Sequence, residues 1–129
     1  MVILAWGTFM ETGHEELDQQ HRALVDLIGD LHTTPLEDKG RAGELLVRLK
    51  VSAEAHFQWE EELMRQHRFP KAAEHVAAHQ IKLRELHELT DHFHKGEIHS
   101  VSDWLERWQY WFVSQMLYED QALVDYLRG

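Results

Sequence analysis

Residues 45–63, LLVRLKVSAEAHFQWEEEL, decide the fold. Leu46, Leu49, Ala53, His56, Glu60 and Leu63 recur at alternating steps of three and four, the rhythm of one helix face. An imidazole and a carboxylate therefore lie on the side that ought to be hydrophobic. Upstream, Leu17, His21, Leu24, Ile28 and Leu31 draw the same kind of line, again with a histidine set in it. Downstream, Ala72, Val76, His79, Leu83, Leu86 and Phe93 draw a third, with His75 one place off the line and one turn before His79. A fourth segment, from about Val101 to Leu127, has two adjacent inward seams: Trp108, Trp111, Gln115 and Ala122, then Phe112, Met116, Asp120, Leu123 and Leu127. All four segments turn polar groups toward the inside.

The boundaries agree with four helices. Thr34-Pro35-Leu36-Glu37 has the form of a capping box, with Thr34 as cap and Pro35 at the first helical position, and is expected to start the second helix. Phe69-Pro70 separates the second and third, and His94-Lys95-Gly96 ends the third. Ser100 or Ser102 is placed to cap the fourth. Short links between long helices favour antiparallel neighbours, so the expected fold is all-α, an up-down-up-down four-helix bundle with residues 1–13 as an N-terminal arm packed by Trp6.

Composition narrows the function. A chain of 129 residues with 43% hydrophobic content makes one globular domain. With 23 acidic against 13 basic residues and a net charge of -10, it would be repelled by a nucleic acid backbone. The chain has no cysteine, which excludes disulfides, thiolate metal sites and cysteine nucleophiles. Two prolines and seven glycines are too few for an all-β domain with many turns. The opening MVILAW is neither a signal peptide nor a membrane span, so no membrane partner and a cytoplasmic location are expected.

Burying one imidazole or carboxylate without partners costs several kcal/mol, and a lone histidine on a core stripe usually means a single local hydrogen bond. Here His21, His56, Glu60, His75, His79, Gln115 and Asp120 converge from all four helices, and one kind of group, a divalent cation, would satisfy most of them together. Residues four apart differ by about 40° in direction. His56/Glu60 and His75/His79 can therefore each present two donors to one centre. Gln115 and Asp120, five apart, differ by about 140° on a regular helix and could serve one site only with two cations or a π-type turn. Imidazole and carboxylate suit iron, zinc, nickel, copper or manganese, and the mix of two bridging carboxylates with several imidazoles favours di-iron. A ferritin-like centre would need two Glu-x-x-His elements on separate helices, whereas Glu11 to His14, in the arm, is the only such run.

These residues resemble the hemerythrins, and in particular the bacterial hemerythrin-like domains. The resemblance covers nearly the whole chain: Trp6 and Gly13, DQQHRALVDLI with His21, HFQWEE with His56 and Glu60, EHVAAHQ with His75 and His79, and WFVSQMLYED with Asp120. It implies a non-haem di-iron centre with a bridging oxo or hydroxo group. His21 and His56 would hold one iron and His75 and His79 the other, with Glu60 and Asp120 bridging. Dioxygen, or a related ligand such as nitric oxide or peroxide, would bind where a coordination position is open. The departure is Gln115, which stands where the family pattern has a third histidine for the second iron. Gln115 could ligate through its amide oxygen, leave the place to water, or yield to Glu119.

Either substitute disfavours a reversible oxygen carrier. The leading expectation is therefore an oxygen- or redox-sensing domain regulating an attached signalling domain, from which this chain would be a piece. Competing readings are a di-iron oxidase or peroxide-reducing enzyme, an oxygen carrier or iron store, and a metal-free interaction module. Of the other histidines, His14, His32, His67, His87, His92, His94 and His99, most are expected to be solvated or capping groups. Trp111, one turn before Gln115, is placed to wall the pocket.

Overall fold

The computed structural model describes residues 5–98 and 101–129. After a single 3-10 turn at Thr8–Met10 come α1 (Glu15–Thr33), α2 (Lys39–Gln66), α3 (Ala72–His94) and α4 (Ser102–Ser114). A π-helical turn, Gln115–Asp120, joins α4 directly to α5 (Gln121–Leu127), so the last two helices form one rod with a widened waist. Four antiparallel rods result, with α2 packed against α1 and α3, and α1 against α4. This is the four-helix bundle expected from the stripes.

The inward lines carry the packing. Leu17, Ile28, Leu46, Leu49 and Leu105 are wholly buried, and each such side chain contributes about 1.5–3 kcal/mol by leaving water. The apolar core falls into two parts. The larger runs from Leu24 and Ile28 through Leu46, Leu49 and Phe57 to Leu86, Trp108, Phe112 and Met116. The smaller gathers Met64, Phe69 and Leu123, with Leu63, Ala72, Val76 and Leu127 around them. Along α2, α3 and the last rod, Glu60, His79 and Asp120 fall between residues of the two clusters, so each cluster closes one side of a polar layer.

Two boundary expectations change. α2 begins at Lys39, and its first turn is capped by Asp38, whose side chain accepts from the Arg41 amide at 3.0 Å. Thr34 instead closes α1, its hydroxyl donating to the Asp30 carbonyl at 2.7 Å. Position explains the difference: Thr34 is the C-cap of α1, and with α2 starting only at Lys39 it stands too far upstream to cap that helix's first turn. Ser102 is the first residue of α4, with Val101 at the cap position, and Ser100 lies outside the described residues. The α3 seam is also displaced, because His75, His79, Leu86, Leu89, Thr90 and Phe93 are buried while Ala72, Val76 and Leu83 are only partly covered. His75 is thus on the inward line rather than beside it.

The arm is tied down by polar contacts as well as by Trp6, which packs against the larger core. The Asp18 carboxylate accepts from the Thr12 amide and hydroxyl at 2.9 and 2.7 Å and from the Gly13 amide at 3.1 Å. Gly13 has a φ of +91°, in the region that favours a residue without Cβ. His14 then caps α1, its Nδ1 accepting from the Leu17 amide at 3.2 Å. The expectation of a capping histidine holds there. His32, by contrast, is buried, with Nε2 2.6 Å from Oε1 of Gln109.

Candidate metal centre

His21 from α1, His56 and Glu60 from α2, His75 and His79 from α3, and Gln115 and Asp120 from the π turn are all buried in one layer. The π turn is what admits the last two. Its wider winding makes five residues little more than one turn, so Gln115 and Asp120 both face the centre, which a regular helix would prevent.

Each carboxylate divides its oxygens between the two histidine pairs. Oε2 of Glu60 lies 3.5 Å from Nε2 of His56, while Oε1 lies 3.3 Å from Nε2 of His79 and also contacts Nε2 of His75. Oδ2 of Asp120 lies 2.8 Å from Nε2 of His21, and Oδ1 lies 3.0 Å from Nε2 of His75. Two groups of donors follow, His21, His56, Glu60 and Asp120, and Glu60, His75 and His79, the ligand atoms within each lying inside 4.8 Å of one another. Gln115 reaches the second group, its amide nitrogen 3.1 Å from Nε2 of His75.

These side chains fit a pair of cations better than they fit one another. Among the described residues, Nδ1 of His21, Nε2 of His56, both oxygens of Glu60, Nε2 of His79 and Oδ1 of Asp120 are buried without an aligned hydrogen-bond partner. So many orphaned polar atoms in one place would cost several kcal/mol. Two donors about 2.1 Å from one ion and at right angles stand about 3.0 Å apart, close to most of the separations above. The residues could therefore hold one ion between His21 and His56 and another between His75 and His79, each sharing Glu60 and Asp120.

Protonation follows from the same crowding. Burial drives His56 down to about 4, against the pull of the Glu60 carboxylate, so its imidazole is neutral. Burial would also lower His75, but Asp120 and Glu60 beside it outweigh that and raise it to about 10. Burial would raise Glu60, yet the imidazoles of His75 and His79 beside it hold it well below the usual carboxylate range.

Beyond this layer lie residues that the pattern of stripes did not pick out. Nδ1 of His56 donates to Oε1 of Gln20 at 2.8 Å, and Nδ1 of His79 donates to the Glu61 carboxylate at 2.9 Å. Both bonds place the ring proton on the outer nitrogen and turn the lone pair of Nε2 toward the centre. Phe57 stacks on His79, with centroids 4.1 Å apart and planes 12° from parallel. Trp111 packs edge-on against Phe57, with ring centroids 6.2 Å apart. Glu119 is exposed on the outside of the π turn, so it is Gln115 and not Glu119 that meets the cluster. Gln20 and Glu61 leave no periodic signal, because each is paired across helices with a residue far away in sequence.

A helical bundle with a buried layer of imidazoles and carboxylates defines the class: a cation-binding helical domain. The family model described as the hemerythrin HHE cation binding domain matches residues 12–127. Bacteriohemerythrins of Stenotrophomonas maltophilia (strain R551-3) and Pseudomonas aeruginosa (strain LESB58) are 28% and 27% identical to this chain, over 100% and 99% of it and 84% of each relative. Crystal structures of hemerythrin with one leucine replaced by tyrosine or by alanine share the fold, the first with a TM-score of 0.89 at 24% identity over the whole of both chains. The chain belongs to the hemerythrin family.

Proposed function

We propose that this chain is a non-haem di-iron domain that binds dioxygen or a related small ligand and reports oxygen or redox state to a signalling partner. In this reading His21 and His56 hold one iron, His75 and His79 the other, and Glu60 and Asp120 bridge the two. The observation that carries it is the division of each carboxylate between the two histidine pairs, with the inward Nε2 atoms of His56 and His79 left unpartnered. Bound iron would supply the redox chemistry and an exchangeable position for a small ligand. The chain's own part is to keep the outer ring protons of His56 and His79 on Gln20 and Glu61 and to shut out bulk water with the two apolar clusters. Gln115 in place of a third imidazole favours sensing over reversible carriage, because a weaker donor leaves the second iron more open to irreversible change.

No helix among the described residues is long and apolar enough to cross a membrane. The test is spectroscopic. Protein loaded anaerobically with ferrous iron should take up about two ions per chain and, on exposure to air, develop oxo- or peroxo-to-iron charge-transfer absorption. A colourless product holding less than one ion per chain overturns the reading.

A further inference from the structure

We propose that Gln115 gives its carboxamide oxygen as a weak ligand to the cation at the His75/His79 position, so that the two positions fill in sequence and the second ion exchanges readily. The inference rests on the two-cation reading above and concerns the residue that stands where the family's pattern, as the resemblance gives it, has a third histidine.

The placement carries the argument. Gln115 is 6% exposed, and its terminal amide lies 3.1 Å from Nε2 of His75. That is close to the spacing of about 3.0 Å expected for two neighbouring donors on one ion. The oxygen and nitrogen of a carboxamide have nearly the same shape, so their assignment follows from chemistry rather than outline. An amide NH2 turned toward the cluster can donate to an unprotonated Nε2 of His75 but offers no lone pair to a cation. Rotating the amide by half a turn puts its oxygen in the same place, where it can ligate. Glu119, the other candidate, faces solvent.

The two positions then differ in strength. Around His21 and His56, both imidazoles and an oxygen from each carboxylate lie within 4.8 Å of one another; around His75 and His79 only Glu60 joins so close a set, Asp120 reaching His75 at 3.0 Å without completing it. Gln115 adds a donor that is neutral and harder than imidazole, and less strongly bound by first-row transition ions. The His21/His56 position should therefore load first. The second ion should arrive last and leave first, making a one-ion form the resting intermediate whenever the metal is scarce.

The experiment is an anaerobic titration of the full chain with ferrous iron, followed by calorimetry and by metal content after desalting. Wild type should show two steps, the second weaker by about tenfold or more, and should keep one ion through desalting. Gln115→His should bring the second step close to the first. Gln115→Leu should weaken or abolish the second step while leaving the first intact, and that intact first step certifies the fold of the variant. Glu119→Ala should change neither. A single two-ion step in wild type overturns the inference, as does a second step that is the same in Gln115→Leu as in wild type, or one lost in Glu119→Ala. A normal first step with a second indifferent to Gln115 sinks this inference alone. Absence of any uptake, by wild type and variants alike, removes the two-cation reading together with it.

Discussion

Glu61→Leu removes the carboxylate that accepts the Nδ1–H of His79 at 2.9 Å. A carboxylate can only accept, so in wild type it fixes the tautomer of His79 and directs the Nε2 lone pair inward. Without it the ring is free to carry its proton on Nε2 and to turn, and both changes must be reversed before a cation can bind. Losing a partner of this kind typically costs about 10–100-fold in metal affinity, or about 1.4–2.7 kcal/mol. Phe57 still holds the face of the ring through its stacked contact, which places the expected loss toward the lower end of that range. Glu61→Gln keeps an acceptor oxygen and should recover most of the affinity. Gln20→Leu is the mirror experiment on His56, whose Nδ1 donates at 2.8 Å, and should weaken the other position. Competition with a chromophoric chelator measures each step. If Glu61→Leu binds the second ion as tightly as wild type, outer-nitrogen anchoring is not what orients His79, and the reasoning fails.

Removing the metal should destabilise the fold, because the orphaned atoms of His56, Glu60, His79 and Asp120 lose the group that satisfies them. A cation present at about 100 times its dissociation constant adds about 2.7 kcal/mol, so chelation should lower the thermal midpoint by about 5–15 °C in calorimetry. Leu46→Ala, at a wholly buried position of the larger core, should cost about 2–5 kcal/mol in urea unfolding, whereas Val51→Ala, at a residue exposed on α2, should stay within about 0.5 kcal/mol. Asp38→Ala should remove about 1 kcal/mol by uncapping α2. Thr34→Ala should change thermal stability by no more than about 0.5 kcal/mol, since its exposed hydroxyl only bonds back to α1.

The sequence by itself determined the bundle and most of its polar layer. Side chains on a helix repeat every 3.6 residues, so His21, His56, Glu60 and His79 declare their inward direction by falling on apolar lines whatever the helices do afterwards. The same local rule misjudged His75, because half-buried Ala72, Val76 and Leu83 pulled the α3 line one residue aside. It also gave Thr34 the role of Asp38, because both residues can cap and only the hydrogen bond actually made tells them apart. Tertiary structure alone decided the rest. The π turn that brings Gln115 and Asp120 to one centre is paid for by packing against the other rods, and nothing in its six residues requires it. The pairing of Gln20 with His56 and of Glu61 with His79 depends on how α2 meets its neighbours. Periodicity sets the direction in which a side chain leaves its own helix; which atom it then meets is fixed by the distance and rotation between helices, and these arise only when the whole core closes.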